Sequence, residues 1–128
     1  MNLQDKLKDI ETKSVGFPSS NVALSQRIYT DLVLAKKWRH VEYKPAKELA
    51  TCVFLAYEPG NMNEQLIVLP ISQDKTKLTI DRITEIFDKL NKSYIIDSPI
   101  EKLTLAIYYS DSTVLYYHLS KGLAKKKE

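Results

Sequence analysis

The sequence predicts a mixed α/β (α+β) domain: a largely antiparallel sheet with two main helices packed on it. Three observations lead there. Two stretches repeat apolar residues every three to four positions, and six short runs are rich in β-branched and aromatic residues. The last two runs are separated by only four polar residues, Ser110-Asp111-Ser112-Thr113, which is hairpin spacing. No regular βαβ alternation exists, so a dinucleotide-binding sheet is excluded.

In chain order, residues 1–18 read as a flexible N-terminal arm, charged up to Lys13 and then punctuated by Gly16 and Pro18. Residues 19–120 read as a single domain. Its first helix starts after the capping pair Ser19 and Ser20 and runs to about Lys37, with Leu24, Ile28, Leu32 and Ala35 on one face. Lys36 and Lys37 sit where the helix dipole favours cations. Trp38, Val41 and Tyr43 mark a short strand stopped by Pro45. TCVFLAY is a second strand, ended by the turn residues EPGN. QLIVLPI is a third, stopped by Pro70; its unbroken run Leu66–Leu69 predicts a central strand covered on both faces. Residues 79–91 make the second helix, capped by Thr79, with Ile80, Ile83, Ile86, Phe87 and Leu90 in one stripe and a Glu85–Lys89 pair outside. SYII reads as a short strand before Asp97–Pro99. LTLAIYY and VLYYHL close the domain as an antiparallel hairpin, and residues 121–128 form a basic tail. The predicted order is α-β-β-β-α-β-β-β.

The chain has 128 residues, enough for one core without staples. Three glycines cannot assemble a phosphate loop, and no Cys/His set has zinc spacing, so neither a nucleotide cofactor nor a structural metal is expected. The lone Cys52 sits in an apolar run and reads as a buried thiol. With no signal-like leader and no apolar stretch of membrane-spanning length, a soluble intracellular protein is expected. Charge is uneven. Residues 27–47 carry six bases against Asp31 and Glu42, residues 48–102 carry nine acids against six bases, and the tail is basic again. Lys121, Lys125, Lys126 and Lys127 read either as a frayed, solvated tail or as a weak attraction for phosphates without sequence preference.

Candidate chemistry is sparse. His118 lies near the end of the last strand, and His40 stands among Lys36, Lys37 and Arg39; neither belongs to a catalytic motif. Glu42-Tyr43-Lys44 matches half of a metal-dependent nuclease signature, which keeps a free-standing nuclease open as an alternative. That scheme needs a further carboxylate on a preceding strand, and Asp31 falls in a helix instead. The aromatic pattern is more informative. Tyr108, Tyr109, Tyr116 and Tyr117 crowd one hairpin, and neighbouring residues of a strand face opposite sides, so each side carries tyrosine. Such a hairpin can pack on its own core and on a partner, including a second copy of the chain. RNA-base stacking fits less well, because the strands lack interleaved Arg and Lys.

The run LTLAIYYSDSTVLYYHLSKGL resembles the C-terminal hairpin of the small subunit, subunit fifteen, of the eukaryotic tRNA-splicing endonuclease. The strongest part is Ser110-Asp111-Ser112-Thr113-Val114, followed by Tyr116-Tyr117, Leu119 and Gly122. Upstream, Tyr29, Asp31, Leu32, Trp38, Val41, Glu48-Leu49, Pro70-Ile71, Arg82-Ile83 and Glu85-Ile86 agree in order, so the resemblance spans about residues 28–122. The short length suits a fungal member. The resemblance implies the endonuclease C-terminal-like α/β domain. It implies a place in a heterotetrameric complex that excises introns from precursor tRNA, leaving 2′,3′-cyclic phosphate and 5′-hydroxyl ends without a metal.

Catalytic subunits of that complex use a Tyr, His and Lys triad. Here Lys102 lies near the lysine position, but no histidine stands between Val41 and Tyr117, so the resemblance implies a structural subunit with no catalytic residue. It implies pairing with the catalytic subunit that cuts the 3′ splice site. The interface would comprise Tyr109, Ser110, Asp111, Ser112, Thr113, Tyr116, Tyr117, His118 and Leu119, with Asp111 in the docking loop. It implies a nuclear location, or a peripheral one on the cytoplasmic face of the mitochondrial outer membrane.

Overall fold

The computed structural model describes residues 2–121. Three helices and a five-stranded mixed sheet form three layers. Helix α1 (Leu3–Lys13), α2 (Ser19–Thr30) and a π-helical turn (Asp31–Ala35) lead into strand β1 (Arg39–Ala46). A short 3₁₀ turn (Lys47–Leu49) precedes β2 (Thr51–Glu58) and β3 (Asn61–Ser72). Helix α3 (Ile80–Lys92) crosses to β4 (Lys102–Tyr108), and β5 (Val114–Ser120) returns beside it. The spatial order β1-β2-β3-β4-β5 follows the chain; every pair is antiparallel except β3–β4, which α3 makes parallel.

The sheet has a core on each face. Ile10, Ile28, Tyr29, Leu32, Trp38, Phe54 and Val68 fill the side under α1 and α2. Val53, Leu55, Leu69, Ile86, Phe87, Leu90 and Leu105 fill the side under α3. β3 alternates between them, which explains its unbroken apolar run: it is central, as its sequence predicts.

Four expectations need correction. The segment read as an N-terminal arm is helix α1. Asn2 caps it by accepting from the Asp5 amide at 2.9 Å, and Ile10 is fully buried. Burial of one such side chain contributes roughly 1.5–3 kcal/mol. Tyr43 Oη donates to Asp9 (2.7 Å) and Gln26 Nε2 to the Leu7 carbonyl (2.9 Å), tying α1 to β1 and α2.

Second, the first predicted helix widens into the π turn at Asp31, six residues before its expected end at about Lys37. Third, neither proline stops its strand. Pro45 lies on edge strand β1, where a missing N–H is tolerated, and Pro70 lies beyond the last β2–β3 pair, Phe54↔Val68. Fourth, SYII forms no strand. Tyr94 turns left-handed at φ 53° and Ile95 plugs the α3-side core. Asn91 holds the following loop by donating to the Phe87 carbonyl and accepting from the Ile100 amide at 2.7 Å.

Helix α3 follows its predicted stripe at Ile86, Phe87 and Leu90, with Thr79 accepting from the Arg82 amide. Ile80 stays exposed. Among the described residues, no helix is long and apolar enough to cross a membrane.

Candidate functional site

The β4–β5 hairpin is regular throughout. Seven consecutive pairs, from Lys102↔Ser120 to Tyr108↔Val114, run without a register shift. Its tip closes through the Tyr109 amide donating to the Thr113 carbonyl (2.8 Å) and the Ser112 amide to the Tyr109 carbonyl (2.9 Å). Ser112 is left-handed at φ 73°. Asp111 accepts from the Thr113 amide at 3.0 Å, and the Thr113 hydroxyl and amide together hold its carboxyl below the usual range.

Alternation divides the hairpin into two faces. Tyr108, Val114 and Tyr116 pack toward α2 and the π turn. Tyr116 Oη donates to Asp31 Oδ2 at 2.7 Å, its ring lies 5.6 Å from that of Trp38, and Lys36 Nζ sits 5.7 Å over it. Burial first, then the Asp31 carboxylate, push the Tyr116 hydroxyl far above its ordinary value. Arg27 stacks over Tyr108 at 5.3 Å.

The opposite face carries Leu103, Leu105 and Ile107 of β4, which are buried, and Leu115, Tyr117 and Leu119 of β5. Leu115 is 42% exposed and Tyr117 47%, while Leu119 and Tyr109 are half-buried against the α3-side core. Desolvation, and then the neighbouring Tyr117 hydroxyl, raise the Tyr109 hydroxyl. Among the described residues β5 pairs only with β4, so its outer N–H and C=O groups line a sheet edge that none of them covers with a strand.

The predicted interface residues thus fall into three places. Tyr109, Tyr117 and Leu119 share the open face, residues 110–113 form the tip, and Tyr116 is engaged inward. His118 lies on the α2-side face. Its Nδ1 is 2.8 Å from Thr104 Oγ1, and its Nε2 is 3.8 Å from Glu58, an ion-pair distance too long for a hydrogen bond. A hydroxyl, an imidazole and a carboxylate in sequence suggest a catalytic triad, but Thr104 is only 1% exposed, so its hydroxyl cannot meet a substrate.

Lys102 lies in the same cleft of about 660 Å³, 3.4 Å from Glu64. Lys44 of the nuclease-like pair donates to the Ile95 carbonyl at 3.0 Å, and among the described residues no three metal-ligating side chains gather. The Lys121 amide donates to the Glu101 carbonyl at 2.8 Å; Lys125, Lys126 and Lys127 lie outside the described residues.

Leu115, Glu58 and Thr104 were absent from the sequence-based site. Leu115 had a signal: it stands two residues before Tyr117, on the same face. Thr104 had one too, since the predicted hairpin sets it opposite His118. Glu58 had none, because it reaches His118 from a strand distant in sequence.

A family model described as Sen15 protein matches residues 27–128. A curated mouse protein, tRNA-splicing endonuclease subunit Sen15 of Mus musculus, is 31% identical over 105 residues. The match covers 81% of this chain and 61% of the mouse protein, so the chain corresponds to under two-thirds of that relative's length.

Proposed function

The chain belongs to the Sen15 protein family, and from that premise we propose that it is a structural, non-catalytic subunit of a tRNA-splicing endonuclease. In this reading it pairs with the catalytic subunit that cuts the 3′ splice site. The observation that carries the proposal is the open edge and face of β5. Leu115 and Tyr117 offer apolar surface beside unpaired backbone groups, which suits the addition of a partner's strand. Asp111 at the tip presents a carboxylate held ionised, suited to docking a second heterodimer. The tail lysines add weak attraction for precursor tRNA.

The same edge would also accept a second copy of the chain when the partner is missing, because an antiparallel strand pair is self-complementary across a two-fold axis. The proposal is tested by recovering the tagged chain from its own cells and assaying cleavage of an intron-containing precursor tRNA. Cleaving activity that co-purifies in stoichiometric complex supports the reading. A chain recovered in quantity with no such activity overturns it.

A further inference from the structure

Between the π turn and β1, the segment Lys36–His40 has a conformation that ordinary residues avoid. Lys37 and His40 are both left-handed, at φ 57° and 52°, positions that Gly or Asn normally hold. Trp38 between them is buried. Its amide donates to the Leu32 carbonyl at 2.9 Å and its ring stacks on Tyr116. Anchoring Trp38 inward leaves Lys36, Lys37, Arg39 and His40 exposed.

The β1–β2 register shifts between Arg39 and Glu42, a bulge that re-aims side chains locally. Across from Arg39 stands half-buried Tyr57, with the His40 ring edge-on to it at 6.1 Å. Among the described residues, no ion pair involves Lys36, Lys37 or Arg39. Three cations within four residues repel one another; Lys36 leans over the Tyr116 ring, and Lys37 and Arg39 stay on the outside, with no carboxylate of the described residues at ion-pair distance.

We infer that the Lys36–His40 loop is a binding site for the phosphate backbone of RNA, with Arg39, His40 and Tyr57 offering planar surfaces to an unpaired base. Cations beside accessible aromatic planes, here the exposed His40 and the half-buried Tyr57, are what single-stranded RNA recognises, whereas an acidic peptide uses the charge alone. The inference deepens the subunit reading and rests on it for the identity of the RNA as precursor tRNA. It places the RNA-facing surface between the π turn and β1, where Trp38 and Lys36 reach Tyr116, on the side of the sheet opposite Leu115 and Tyr117.

The test compares two variants of the 128-residue chain with equal charge loss. One carries Lys36→Gln, Lys37→Asn and Arg39→Gln; the other carries Lys75→Gln, Lys77→Gln and Lys92→Gln, all exposed, after the end of β3 and at the end of α3. Precursor-tRNA binding is measured across a salt series. The loop variant should bind about tenfold more weakly in low salt, with the log–log salt slope reduced by roughly two. The second variant should match the unaltered chain.

Equal losses in both variants, or no loss in the loop variant, would overturn the inference. So would polyglutamate displacing the RNA at equal charge concentration, which would assign the loop to an acidic protein. Acetylation footprinting of the unaltered chain gives an answer independent of folding in the variants. Lys36 and Lys37 should be protected by RNA more than Lys75, Lys77 and Lys92, and uniform protection would count against the site. Loop-dependent binding in a chain that carries no cleaving activity from cells would refute the subunit reading and leave the loop standing. The reverse pair of results would refute the loop alone.

Discussion

The first strand of the sheet carries Arg39, Glu42, Lys44 and Pro45 and a register shift; the last carries none of these. From Val114 to Ser120, β5 has no Lys, Arg, Asp, Glu or Pro, and its ladder is unbroken. Charge, proline and bulges are the devices by which proteins keep edges from pairing with strangers. β1 uses all three and β5 uses none. An unguarded edge in an otherwise guarded sheet is what the proposed partner strand would cover. The contrast repeats within β5 at adjacent residues: Tyr116 is bound inward by Asp31 and Trp38, while Tyr117 faces out. One tyrosine holds the strand to its own domain, and its neighbour stays exposed on the opposite face.

The strongest way to break this contrast is to guard β5. Leu115→Asp with Tyr117→Asp should weaken association with the partner by at least about 100-fold, since two central apolar contacts of an interface are each worth ~2 kcal/mol or more. The thermal midpoint of the isolated chain should move by only a few degrees, because both side chains are already exposed. Titration against the recombinant partner measures the first effect and calorimetry the second. Unfolding of the isolated variant would instead make this face core.

Tyr116→Phe should act in the opposite sense. It leaves the half-buried Asp31 carboxylate without its donor, so stability should fall by about 1–3 kcal/mol in denaturant titration while partner affinity stays unchanged. A change in affinity with no change in stability would reverse the assignment of the two tyrosines.

The pH dependence sharpens the same point. The Tyr116 hydroxyl is raised above the ordinary 10.0 by burial and then by Asp31, and Tyr43 by burial and then by Asp9. For a raised group, the linked stability is complete below the unfolded value. It is lost as pH climbs toward the folded one. Alkaline unfolding should therefore begin near pH 10, and Tyr116→Phe with Tyr43→Phe should flatten the stability profile above that point. An equal slope in this double variant would remove these hydroxyls as the cause.

The smallest effect is expected at His118. His118→Ala should leave cleavage by the assembled complex within a few-fold of normal. A hundredfold loss with assembly intact is the scale of a general base and would mark a catalytic role.

What the sequence discloses follows the range of the interaction. Alternation in β5 shows that Tyr116 and Tyr117 face opposite ways. It does not show which faces inward, because that depends on Asp31, distant in the chain. Helix α1 hides for another reason. Leu3, Leu7 and Ile10 have helical spacing, but six charged residues within residues 1–13 make the segment read as solvated. SYII misleads because four residues suffice for a short strand and also for a turn that buries one isoleucine. The parallel β3–β4 pairing rests on contacts between residues 68–72 and 104–108, which no local pattern records.

Because the order of strands in space is their order in the chain, the sheet can grow in the direction of synthesis. β1 and β2 meet through a short turn, and β3 joins the edge they form. Only β4 must wait for residues 73–101 to be made and for α3 to fold across. Each strand then finds its neighbour already in place, and no late strand has to be threaded between two early ones. The last to arrive is β5, the strand left without protection. The surface prone to mispairing thus spends the least time exposed as the chain emerges, and it becomes adhesive only when the rest of the sheet exists to orient it.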